Sequence, residues 1–146
     1  MSKPVTIVMI EDEEGHARLI ERNIRRSGVN NEIIPFSSGT AALKFLFGSD
    51  GSGLGHEGRA LLVLLDLNLP DMTGIDVLRQ IKENKHLKST PVVVLTTADD
   101  SREIRRCYEF GCNLYITKPI HYDTFASAIR HLGLFFSVIQ IPAAAT

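Results

Sequence analysis

Leu61-Leu62-Val63-Leu64-Leu65 runs without a polar break and stops on a carboxylate, Asp66, followed by Leu67-Asn68-Leu69-Pro70-Asp71-Met72-Thr73-Gly74. The run is too short for a typical helix and is bounded by Pro and Gly. An apolar segment of that length reads as a strand buried on both faces, which is the environment of a parallel sheet covered by helices. Asp66 then stands at the strand's carboxyl end, the edge at which open α/β sheets bind ligands. Pro70 and Gly74 punctuate the loop into the next helix.

The rest of the chain repeats this unit. Val5 to Ile10 reads as a strand ending in Glu11-Asp12-Glu13-Glu14, and a helix follows from about Glu14 to Ser27 with Ala17, Ile20 and Ile24 on one face, Leu19 beside them, and Gly28 as its stop. Glu32 to Phe36 is a short strand whose Pro35 argues for a sheet edge. Ser37 or Ser38 can cap a helix carrying Ala41 to Leu46. Gly48 to Ala60 is a Gly/Ser-rich excursion with no phosphate-cradle motif. After Asp66, Thr73 or Asp71 can cap a helix with Ile75, Val77, Leu78 and Ile81. Val92 to Leu95 is a further buried strand ending in Thr96-Thr97. Asp99, Asp100 or Ser101 can cap the next helix, which runs to Phe110 and is closed by Gly111. Asn113 to Thr117 is the last strand, ending at Lys118-Pro119, and a final helix starts near Tyr122 and runs through Phe125, Ile129, Leu132 and beyond. Five β-α units predict a doubly wound (βα)5 domain, with a parallel five-stranded sheet in the order 2-1-3-4-5 and helices on both faces.

Composition narrows the function classes. A net charge of −1 gives no general electrostatic reason to bind nucleic acid or an acidic membrane. No apolar run is long enough for a membrane span, and no signal-peptide pattern opens the chain, so a cytoplasmic protein is expected. Cys107 and Cys112 read as reduced thiols. The five histidines lack metal-site spacing and read as surface or capping residues.

The topology gathers Glu11-Asp12, Asp66, Thr96-Thr97 and Lys118 at one sheet edge. Clustered carboxylates repel, and a hard divalent ion such as Mg²⁺ answers that problem with oxygen ligands and retained waters. Asp12, Asp66 and the backbone carbonyl of Asn68 are the expected direct ligands, with Glu11 acting mostly through water. Lys118 is a fixed cation for Asp66 or an anion bound to it, and the Thr96-Thr97 doublet offers hydroxyl donors. An acid, a metal, a lysine and a hydroxyl about one point suit phosphoryl transfer, with Asp66 as the nucleophile that forms an acyl phosphate.

In this order and spacing, Glu11-Asp12, Asp66, Pro70, Gly74, Thr96, Tyr115 and Lys118-Pro119 resemble the receiver domain of a two-component response regulator, from Val5 to Leu132. The resemblance implies a flavodoxin-like three-layer sandwich, phosphorylation of Asp66 by a partner histidine kinase with Mg²⁺, and a switch in which Thr96 turns toward the phosphoryl group while Tyr115 moves inward. It also implies a signalling module that assists only its own phosphorylation and dephosphorylation. Glu11 departs from the aspartate often found at its position. Asn68 and Ala98 lie where such domains tune phosphoryl lifetime.

The receiver is expected to occupy residues 1–132, with 133–146 as an apolar extension and no effector domain after it. One helix face cannot bury all of Leu132, Leu134, Phe135, Phe136, Val138, Ile139 and Ile141, so a homodimer through these residues is expected. The Gly/Ser tract, the acidic run, the threonine doublet and this tail resemble single-domain regulators that partner bacterial phytochrome histidine kinases, which implies a light-dependent input. Two rivals fit less well. A haloacid-dehalogenase-type aspartyl-phosphate phosphatase needs a second acid where Asn68 stands. A flavodoxin-like electron carrier needs a phosphate loop where Glu11-Asp12 would repel the phosphate.

Overall fold

The aliphatic runs become the middle of the sheet. In the computed structural model, described here for residues 5–48, 60–97, 100–118, 121, 123, 124, 126 and 127, the elements in chain order are β1 (Val5–Ile10), α1 (Glu14–Arg26), β2 (Ile33–Phe36), α2 (Gly39–Phe47), β3 (Ala60–Asp66), α3 (Gly74–Glu83), β4 (Val92–Thr96), α4 (Ser101–Glu109) and β5 (Leu114–Thr117). The five strands pair in parallel in the order β2-β1-β3-β4-β5, as expected. Central β3 has no solvent face: Leu62, Val63, Leu64 and Leu65 are fully buried. Each such side chain contributes roughly 1.5–3 kcal/mol through burial. β2 forms an edge, where the exposed Pro35 pairs with Met9 and its missing N–H is tolerated.

Successive strand residues point to opposite faces, so the sheet carries two cores. Val8, Ile10, Val63, Leu65, Val92 and Val94 pack with Ala42, Leu43 and Leu46 of α2 and Val77, Leu78 and Ile81 of α3. Ile7, Met9, Leu62, Leu64, Val93 and Leu95 pack on the other face with Ile20 and Ile24 of α1. Leu19 does not join them. It is 42% exposed, because one residue along a helix turns about 100° away from Ile20. Local signals resolve as single choices. Ser38, Thr73 and Asp100 accept from the backbone N–H groups of Ala41, Asp76 and Arg102, and positive-φ Gly28 and Gly111 follow α1 and α4.

Cys107 and Cys112 are both free and buried, and burial pushes their thiols up to about 11 and about 12. Neither is a thiolate near neutral pH. No helix among the described residues is long and apolar enough to cross a membrane. The Gly/Ser tract over 49–59, most of the final helix, and all the residues expected at a dimer contact (Leu132, Leu134, Phe135, Phe136, Val138, Ile139, Ile141) lie outside the described residues.

Candidate functional site

Parallel pairing brings the strand ends to one edge, and register sets their depth. Ile10 stands opposite Leu65, Asp66 opposite Leu95, and Thr96 opposite Thr117. Glu11, Asp66 and Lys118 therefore meet, although the first and last are 107 residues apart. Carboxylate oxygens of Glu11, Asp12 and Asp66 all lie within 4.8 Å of one another. Asp12 is exposed, whereas the Glu11 and Asp66 side chains are 2% and 6% accessible. A cleft of about 290 Å³ opens over them, lined also by Asn68, Thr97 and Lys118.

Each group is held. Asp66 Oδ1 accepts from Asn68 N at 3.3 Å, and Asp66 Oδ2 accepts from Lys118 Nζ at 3.4 Å. Glu11 Oε1 accepts a short bond from the same ammonium, and Glu11 Oε2 accepts from Glu13 N at 3.2 Å. Lys118 was expected to serve Asp66; its tighter partner in this structure is Glu11. The third neighbour of the ammonium is His16 Nδ1 at 3.2 Å, whose Nε2 lies 3.2 Å from Glu13 Oε2. The sequence marks His16 only as a surface or capping residue. Its one signal was its place in the first turn of α1, just after the acidic run. Of the threonine doublet, Thr97 lines the cleft while Thr96 is fully buried. Tyr115 is partly buried against the core shared with α2 and α3 and does not line the cleft. Ala98 lies outside the described residues.

Burial pushes the Glu11 carboxyl above the ordinary range and the nearby Asp66 charge adds to this, against the pull of the Lys118 and Glu13 hydrogen bonds. A carboxyl raised in the folded state binds more protons there than in the unfolded chain. Metal-free stability is therefore expected to fall as pH rises from the ordinary glutamate value through the raised one. Urea midpoints from pH 5 to 8 in EDTA should show this slope, and Glu11→Gln should flatten it. An unchanged slope in Glu11→Gln would remove Glu11 as its source. Three carboxylates facing one ammonium leave a negative, all-oxygen donor set, and these residues suit a hard divalent cation.

Comparison with known proteins agrees with this geometry. The response regulator receiver domain family matches residues 7–130. The crystal structure of a response regulator receiver domain from Rhodospirillum rubrum is 70% identical, with a TM-score of 0.79 over 94% of this chain and 97% of that one. The bacteriophytochrome response regulator RtBRR is 34% identical, with a TM-score of 0.79 over 95% of this chain and 84% of that one. Response regulator Rcp1 of Synechocystis is 34% identical over 142 residues, 97% of this chain and 95% of its own. Rcp1 has been crystallised in an Mn²⁺-bound form, to which this chain aligns with a TM-score of 0.71 over 94% of its length and 97% of that chain.

Proposed function

Because this chain belongs to the response regulator receiver family, we propose that it is a switch phosphorylated on Asp66 by a partner histidine kinase in the cytoplasm. The observation that carries the reading is the Asp66 carboxylate itself. It is buried at a strand end, with one oxygen held by Asn68 N and the other by Lys118, inside a cluster of three acids. Asp66 attacks the phosphorus of a phosphohistidine; the new P–O bond forms as the P–N bond breaks, and the imidazole leaves. Lys118 already sits beside the nucleophile and follows the charge onto the phosphoryl oxygens. Thr97 offers a hydroxyl from the cleft wall, and Thr96 becomes a donor by turning outward, with Tyr115 taking up space behind it. Asp12, Asp66 and the Asn68 carbonyl would hold Mg²⁺ directly, with Glu11 acting through water, and the ion would supply positive charge to the transferring group.

The likeness to RtBRR supports a phytochrome-type kinase as the donor. Self-association through the apolar segment from Leu132 to Ile141 belongs to the same proposal. Incubation with phosphoramidate and Mg²⁺ tests the chemistry. Expected is about one alkali-labile phosphate per chain, as one nucleophile implies, and none in EDTA. Repeated turnover of a phosphomonoester would instead favour the haloacid-dehalogenase-type phosphatase.

A further inference from the structure

Asp71, in the loop between β3 and α3, has partners on α2, 31 and 32 residues away in the chain. Its Oδ1 accepts from Gly39 N at 3.0 Å, and its Oδ2 accepts from Thr40 N at 2.8 Å and from the Thr40 hydroxyl. Gly39 and Thr40 open α2, where the first N–H groups have no intrahelical acceptor. α2 already has a local cap, Ser38 Oγ, which accepts from Ala41 N at 3.1 Å. The same helix end is thus held twice, once from within and once from the loop that follows Asp66. The second hold is charge-assisted, and those three bonds keep the Asp71 carboxyl down at about 2. Met72 closes the contact beside it. A Cβ on Gly39 would lie 2.6 Å from Met72 Cγ, so the loop rests directly on the backbone of α2.

The loop's other end is pinned at the site. Gly74 N donates to Leu67 O at 2.8 Å, Asn68 bridges Thr73, and Asn68 N holds Asp66 Oδ1. Asn68 therefore lies between an anchor at the phosphoacceptor and an anchor on α2. We infer that Asp71 is a positioning residue for the phosphorylation site: it ties the loop after β3 to α2 and so holds Asn68 where a divalent cation would need its carbonyl. This rests on the phosphorylation reading above. A residue that orients a ligand without touching the metal has a characteristic effect, a loss of metal affinity out of proportion to any loss of stability.

Ser38→Ala supplies the comparison, because it loosens the same helix end without touching the loop. Mg²⁺ affinity of the full chain is measured by titration calorimetry, and stability by urea denaturation. Asp71→Ala is expected to weaken Mg²⁺ binding about tenfold, while Ser38→Ala leaves it within about twofold at a similar midpoint. Asp71→Asn, which keeps one acceptor oxygen, should fall between Asp71→Ala and the unaltered chain. Unaltered Mg²⁺ binding in Asp71→Ala, or equal weakening in Ser38→Ala, overturns the inference and leaves the phosphorylation reading in place. An unaltered chain that binds no Mg²⁺ overturns both.

Discussion

Asp66→Asn takes up no phosphate from phosphoramidate in Mg²⁺, yet folds at least as stably as the unaltered chain. The amide nitrogen and oxygen are poor nucleophiles, and the other two acids of the cluster are placed differently. Glu11 is committed to Lys118 and to Glu13 N, and Asp12 is exposed. The amide oxygen can still accept from Asn68 N, so the local backbone has no reason to move. Removing one charge from a cluster of three acids also relieves the repulsion that adds to burial in raising Glu11, and Lys118 keeps its tighter partner, Glu11. Phosphate uptake by Asp66→Asn, read by intact mass, would show that another residue is the acceptor. The same variant separates switch from scaffold. If beryllofluoride doubles the light-scattering mass of the unaltered chain but not of Asp66→Asn, assembly is controlled at Asp66. A dimer in both marks a constitutive contact.

Gly74→Ala is expected to cost about 3 kcal/mol, by the mechanism of a side chain forced into a filled site. A Cβ at Gly74 would lie 2.4 Å from the carbonyl oxygen of Asp66 and 2.5 Å from Leu67 Cα. Those are backbone atoms at the end of central β3 and cannot swing aside as a flexible side chain does. Relief requires the first turn of α3 to retreat, which stretches the bond from Gly74 N to Leu67 O and displaces the strand end that presents the nucleophile. Both stability and phosphate uptake should therefore fall together. Gly15→Ala is the internal control. Its Cβ would meet only Glu13 Oε1, at an ordinary 3.6 Å, and alanine suits a helix better than glycine. Equal urea midpoints for the two variants would contradict the steric argument.

Much of this protein is legible in its sequence, for physical reasons that are local. Buried strands announce themselves as uninterrupted aliphatic runs. Pro35 marks an edge because it lacks a donor, and helix starts and stops are written in residues a few positions apart. A parallel sheet then has one ligand edge, so Asp66 and its companions had to gather there. The choice among candidate caps was less legible. Asp71 and Thr73 are both competent beside α3, and only the packed structure shows Thr73 capping that helix while Asp71 serves α2.

The sequence by itself determined the strand pattern, the identity of the acidic edge and the family, because hydrophobic periodicity and turn chemistry act over a few residues. Tertiary structure alone decided who holds whom: Lys118 on Glu11 as well as Asp66, His16 beside that ammonium, and Thr97 at the cleft with Thr96 buried. Those contacts join residues that chain position does not relate. Which acceptor a lysine prefers, and which of two adjacent hydroxyls faces water, depends on distances that exist only once the sheet has closed its register.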